Sequence, residues 1–293
     1  MILVVGDLVT DVLVEHDGEI RAGSDTDAAI RVAGGGQGAN TAAWLAHAGH
    51  EVTLIAAVGD DQAGRDRVAE LTAAGVRCAV QILPGVATGS VVVLTGVAER
   101  TMITDRGASL LLDPGHVTAA IADAPAGSHL HLSGYPLLHA GSRPAGLAAL
   151  TAASSRGLTV SVDAASAAPL RDAGAGAFLD WVRETDVLLC NADEADVLAG
   201  PGGAAGQAGR LTAHVRNAVV KQGAAGAVWA GRDGKVWSVA ARAVPLKDPT
   251  GAGDAFAAGL LTAWCSGAGP AAALEAGSAL GAAAVSRIGA RPA

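Results

Sequence analysis

Near the C-terminus the chain reads Asp248-Pro249-Thr250-Gly251-Ala252-Gly253-Asp254, then runs at once into the apolar stretch Ala255–Trp264. A glycine-rich turn therefore opens an apolar helix, with a carboxylate in its first turn. The free amides at a helix N-terminus bind anions, and Gly251 and Gly253 leave the backbone open to a bulky one. Asp254 stands beside that anion and can take a proton. Together these features suit phosphoryl transfer to a hydroxyl, although Asp254 would also simply complement the helix dipole, an effect of about 0.3–1 kcal/mol.

A second glycine-rich run, Gly34-Gly35-Gly36-Gln37-Gly38-Ala39-Asn40-Thr41, also enters a helix. As a dinucleotide fingerprint it fits poorly: Ala39 stands at the final glycine position, and the preceding Ala-Ile-Arg-Val-Ala is not a first core strand. Close backbone packing against a polar ligand fits better, with Asn40 offering both donors and acceptors. Asn191 and Glu194 lie three apart at a strand-to-helix junction, where they can face one site or form a helix cap. Lys221 is one of three lysines and ends an apolar strand before Gln222-Gly223. It serves a buried site or escapes to solvent along its own stem. His129 and His131 alternate on a strand and so share one face, as core or pocket-wall residues. The eight histidines lack metal-ligand spacing, and no nucleophilic triad is present.

Short apolar runs alternate with helical patterns and must position these groups. Ile2–Val5, Val52–Val58, His129–Leu132, Thr159–Val162, Asp186–Cys190 and Ala218–Lys221 are expected as buried strands. Helices are expected over Gly38–Ala48, Gln62–Ala74, Arg143–Ser155, Ala177–Glu184, Asp193–Leu198 and Ala271–Arg287. Repeated βα units imply a doubly wound, mainly parallel sheet flanked by helices. Two stretches, residues 10–33 and a hairpin over residues 88–104, read as β insertions that pair into a small lid sheet. The expected division is an α/β core of residues 1–9, 36–86 and 105–293, with a lid of 10–35 and 87–104.

Composition narrows the partners. Hydrophobic residues make up 51% and charged ones 16%, enough apolar matter for a core, built of Ala, Val and Leu because aromatics are 3%. The net charge of −8, with no long Lys/Arg run, disfavours nucleic acid and anionic membranes. Three scattered cysteines read as reduced thiols of a cytoplasmic protein. No signal segment or spanning apolar run is read.

The two glycine-rich segments together resemble the signatures of the ribokinase-like (PfkB) carbohydrate kinases: Gly35-Gly36-Gln37-Gly38-Ala39-Asn40 at the N-terminal side and Asp248–Asp254 at the C-terminal side. Val58-Gly-Asp-Asp61, Arg106-Gly-Ala-Ser109, Asn191-Ala-Asp-Glu194, Val220-Lys-Gln-Gly223 and Arg287-Ile-Gly-Ala290 follow the family's order, so the likeness spans essentially the whole chain. It implies an ATP-dependent kinase acting on a hydroxymethyl group of a sugar or sugar-like substrate. Asp254 would be the general base, and the amides of Gly251, Ala252 and Gly253 would stabilise the transferring oxygens. The resemblance further implies Asp11, Gly36, Gln37 and Asn40 at the acceptor and Asn191, Lys221, Gly223 and Gly253 at the nucleotide. Mg²⁺ would sit near Asn191 and Glu194 through water. A monovalent cation such as K⁺ is implied at Asp248, Thr250 and the backbone near Gly289, where Asp248 would otherwise cap its turn. Ribokinases usually carry Asn where this chain has Val9 and Lys where it has Gln37, which weakens ribose itself as acceptor.

Other acceptors within the family are a nucleoside, pseudouridine included, or a phosphosugar. From another class come a catalytically silent sugar-binding regulatory homologue and, more distantly, a nicotinamide-dependent oxidoreductase. A homodimer formed through the lid is expected, since the edges of a small sheet favour pairing.

Overall fold

The computed structural model describes residues 1–16, 18–95 and 100–292. Thirteen strands are found among them. In the first half these are β1 (Ile2–Val5), β2 (Val9–His16), β3 (Ala28–Gly35), β4 (Val52–Gly59), β5 (Arg77–Leu83), β6 (Thr88–Thr95) and β7 (Arg100–Gly107). Later come β8 (His129–Ser133), β9 (Thr159–Asp163), β10 (Val187–Asn191), β11 (Asn217–Lys221), β12 (Ala227–Gly231) and β13 (Val236–Val239).

Nine strands form one sheet in the order β13-β12-β11-β10-β9-β8-β1-β4-β5. It is parallel from β11 to β5, with β12 and β13 added antiparallel at one edge. Strand order reverses at β1, whose neighbours are β8 and β4. Such a switch point leaves a crevice at the carboxyl ends of the strands, the usual ligand site of open α/β sheets. Both faces are covered, as the near-continuous apolar strands require. Leu3, Val5, Leu130, Leu132, Val160 and Val162 pack on one side, and Ile2, Val4, Leu54 and Val219 on the other.

The second side carries three helices that matter for the site: Gln37–His47, Ala252–Cys265 and Pro270–Val285. The last two approach closely because both are rich in small residues. A Cβ on Gly259 would lie 2.4 Å from the Ala276 carbonyl oxygen. The final helix starts at Pro270 and ends at Val285, two residues short of the expected Arg287. The expected helix Ala177–Glu184 is instead Ala175–Trp181, preceded by Ala167–Ala173, and Glu184 lies beyond it with a left-handed φ of 63°.

A smaller sheet has the order β3-β2-β6-β7. β2 pairs antiparallel with β3 and parallel with β6, and β6 pairs antiparallel with β7. The tip of the expected hairpin, residues 96–99, lies outside the described residues. Val9, Val91 and Val93 form a small apolar cluster on one face of this sheet. Among the described residues no helix is long and apolar enough to cross a membrane.

Candidate active site

The carboxyl ends of five parallel strands deliver polar groups to one place. Asp7 follows β1, Ser133 ends β8, Asp163 ends β9, Asn191 ends β10 and Lys221 ends β11. Across this row lies the glycine-rich turn at residues 248–254, and from the side the smaller sheet adds Val9, Asp11, Val91, Val93 and Met102. Ser133 and Asp248 apart, these groups line a cavity of about 1090 Å³.

Gly251 is the N-cap of helix Ala252–Cys265 and has φ 74°, a left-handed conformation suited to glycine. A Cβ there would also lie 2.4 Å from the Ala290 carbonyl oxygen. The amides at this helix start have no side-chain cap, which leaves an anion cradle at the cavity wall. Lys221 Nζ stands 3.5 Å from where a side chain on Gly253 would begin. A fixed positive charge and the open helix start thus meet at one point.

Asp254 lies in the first turn of that helix, and Asn40 Nδ2 donates to its Oδ2 at 2.9 Å. Burial pushes the Asp254 carboxyl up to about 8, and nearby Asp163 adds to the rise while the Asn40 bond and Lys221 oppose it. A carboxyl poised near neutral pH is what a general base requires.

Asp163 was not singled out by sequence, yet it organises the pocket. Its Oδ2 accepts from Lys221 Nζ at 2.6 Å and its Oδ1 from Gln37 Nε2 at 3.0 Å. Ser133 Oγ in turn donates to Gln37 Oε1 at 2.5 Å. Burial works against the Lys221 charge, but Asp163 and Glu194 outweigh it and hold the ammonium above the usual lysine range. Asp7 and Arg106 were also missed as site residues. They pair at 2.9 Å while both are buried, and the guanidinium stacks 3.7 Å from the Tyr135 ring centroid. The readable signal for Asp7 and Asp163 was position: each carboxylate sits at or just past the end of an apolar strand.

Of the acceptor candidates, Asp11 is buried on β2 and lines the cavity. Gly36 caps helix Gln37–His47 with φ 99°. Both ends of Gln37 are held by protein partners, and so are both ends of Asn40, whose Oδ1 accepts from Arg291 Nε at 3.0 Å. Gly223 lines the cavity just past Lys221.

Asn191 and Glu194 form a reciprocal capping box. The Glu194 carboxylate accepts from Asn191 N at 2.8 Å and Nδ2 at 2.6 Å, and burial raises its pKa to about 7. A nearby cation would stabilise the ionised form. Each carboxylate oxygen keeps a further lone pair, and both residues line the cavity, so the pair fits a hydrated divalent ion held through its waters. The Asp248 carboxylate accepts from Thr250 N at 2.8 Å and Gly289 N at 2.9 Å. It thereby staples the turn to the C-terminal segment.

The fold and site define a ribokinase-like α/β protein with an anion cradle facing a titratable carboxylate. The chain matches the pattern of the pfkB family carbohydrate kinases over residues 1–293 and belongs to that family. Similar solved structures include adenosine kinase from Sinorhizobium meliloti, with 24% identity, a TM-score of 0.89 and coverage of 99% of this chain and 95% of that one. A putative ribokinase II from E. coli is 25% identical, with a TM-score of 0.85 and coverage of 99% and 94%. That protein has also been solved in complex with ATP and Mg²⁺, at a TM-score of 0.82. Ribokinase from Thermotoga maritima, 21% identical, superposes with a TM-score of 0.80 over 99% and 94% of the two chains.

Proposed function

We propose that the protein transfers the γ-phosphoryl group of ATP to a hydroxymethyl group of a sugar or sugar-like acceptor. The observation that carries this reading is the meeting of Asp254, the uncapped helix start at Gly251–Gly253 and Lys221 in one cavity. Asp254 takes the hydroxyl proton as the acceptor oxygen bonds to the γ-phosphorus, and the bond to the bridging oxygen of ADP breaks. The amides of Gly251, Ala252 and Gly253 receive the charge on the transferring oxygens, and Lys221 steadies the phosphates. Asn191 and Glu194 would hold Mg²⁺ through water, and the ion supplies charge neutralisation at the phosphates. Gly223 borders the nucleotide, while Asp11 and Gly36 face the acceptor. Asp248, Thr250 and the backbone near Gly289 would hold a monovalent cation such as K⁺, and the Asp248 carboxylate also staples the turn through Thr250 N and Gly289 N.

A nucleoside acceptor is the second reading, favoured by the apolar wall of Val9, Val91, Val93 and Met102, which suits a flat ring better than a free sugar does. A phosphosugar fits less well, because Arg106 is already paired with Asp7. The smaller sheet acts as a lid that keeps water from the phosphoryl group, and we propose that it also pairs two copies of the chain.

ADP release from Mg·ATP, measured with ribose, fructose, adenosine, pseudouridine and fructose 6-phosphate, tests the assignment. One of the neutral acceptors should support turnover, and Asp254→Asn should lower it by about a thousandfold or more. Turnover with the phosphosugar alone would overturn the preferred acceptor class. Unchanged turnover in the Asp254 variant would remove the base, and no ADP release with any acceptor would favour a silent binding homologue.

A further inference from the structure

Asn40 has two chemically different ends, and its orientation decides which one Asp254 meets. The structure resolves the choice through Arg291. Arg291 Nε donates to Asn40 Oδ1 at 3.0 Å, and Arg291 Nη2 donates to the Gly35 carbonyl oxygen at 2.8 Å. A guanidinium has only donors, so it must face the amide oxygen. That leaves the Asn40 NH₂ for Asp254, at 2.9 Å.

The segment that carries Arg291 is fixed on both sides. Gly289 N donates to Asp248 Oδ2 at 2.9 Å, and Trp44 Nε1 donates to the Ala290 carbonyl oxygen at 2.9 Å. Glu70 lies 3.5 Å from Arg291 Nη1. The first glycine of the N-terminal run makes the room. A Cβ on Gly34 would lie 2.1 Å from Arg291 Nη1 and 2.6 Å from its Cζ. Gly34 has ordinary strand backbone within β3, so the space taken by the guanidinium accounts for it.

We propose that Arg291 is a positioning residue for phosphoryl transfer: seated in the socket left by Gly34, it locks the Asn40 amide so that its NH₂, and not its oxygen, faces and aims the Asp254 carboxylate. The inference rests on Asp254 being the base. Without Arg291 the amide is free to turn its oxygen toward Asp254, which favours the protonated acid. The other groups facing Asp254 are Asp7 beyond β1, Tyr135, Asp163 at the end of β9 and Lys221 at the end of β11. None of them is substituted in the variants below.

Three variants of the full chain test this: Arg291→Met, Arg291→Lys and Gly34→Ala, the last keeping the charge but filling the socket. Two readouts apply. One is the titration of the Asp254 carboxyl, followed by ¹³C NMR in the apoprotein and assigned with Asp254→Asn. The other is ADP release from Mg·ATP with adenosine and D-ribose as acceptor probes. Arg291→Met and Gly34→Ala should raise the Asp254 midpoint by about one pH unit. They should lower kcat about ten- to hundredfold while KM for ATP stays within about twofold. Arg291→Lys should fall between them and the wild type. A lost fold in Arg291→Met leaves Gly34→Ala to decide, with thermal melting as the check. Folded Arg291→Met or Gly34→Ala proteins whose Asp254 midpoint matches the wild type would overturn the proposal. Full activity of Asp254→Asn would instead overturn the base assignment, while the NMR midpoint still reports on the lock.

Discussion

At the scale of residues, the site rests on carboxylates that burial and mutual repulsion set apart. Asp254 is lifted to about 8 chiefly by burial, with Asp163 adding to it. As the proposed base it works only when ionised, so the sign is fixed: kcat/KM should rise about tenfold per pH unit below about pH 8 and level off above it. A profile flat from about pH 6 to 9 would show that this ionisation does not gate turnover. Asp163 does a different task. One oxygen accepts from Lys221 Nζ and the other from Gln37 Nε2, so a single carboxylate ties the end of β11 to the start of helix Gln37–His47. The family resemblance marked Lys221 and Gln37 as site residues, but not the carboxylate between them. An aspartate at the end of a β-run is marked in the sequence by its position alone, and the packing of β9 between β8 and β10 is what turns it inward.

At the scale of elements, the strand pair β8–β9 carries a buried polar ladder. The pairs in register are His129 with Thr159, His131 with Ser161 and Ser133 with Asp163. His129 bonds to Thr159 and Ser161, and His131 bonds to the same Ser161 hydroxyl, each at 2.8 Å. Burial lowers His129 to about 3 and His131 to about 4. Neutral when folded, both gain protons on unfolding once the pH falls below the ordinary value of 6.5, so their contribution to stability is lost as pH drops from there toward 4. The raised carboxyls of Asp254 and Glu194 titrate with the opposite sign, so the comparison must be differential. His131→Gln should gain about 2–3 kcal/mol on the wild type, in urea unfolding free energy, between about pH 6.5 and 4.5. A constant difference between the two proteins would show that His131 is not held neutral. The alternation of these histidines on one face was readable from the sequence. Other elements were not. β5 is a half-exposed edge strand interrupted by Arg77 and Gln81, and the helix Ala204–Leu211 contains two glycines that blur its period. β12 is short and made largely of Ala and Gly, and it reads as a strand only because β11 and β13 flank it.

At the scale of the whole molecule, the smaller sheet has two unlike faces. One presents Val9, Asp11, Val91 and Val93 to the cavity. The other carries Val12, Val14, Ile30, Val32, Val92, Leu94 and Ile103, and a row across all four strands sets Val32, Val12, Val92 and Ile103 side by side. Ile30, Val32 and Ile103 are 64%, 65% and 59% exposed, a contiguous apolar face of the kind that marks an interface. We predict a dimer by light scattering that Val32→Lys combined with Ile103→Asp converts to monomer. A monomeric wild type at about 10 µM would remove the pairing role of this sheet without touching the active site. The two glycine turns, the parallel βα rhythm and the presence of a second small sheet are all local patterns of type and spacing, and each could be read along the chain. Which side chains meet is another matter. Lys221 and Asp163 are 58 residues apart, and Arg291 and Asn40 are 251 apart. Such pairs form where strand order and helix packing converge, and neither leaves a periodic trace in the chain. The turn at Asp248–Asp254 was thus legible in one dimension, while the residues that meet Asp254 were settled by closure of the fold in three.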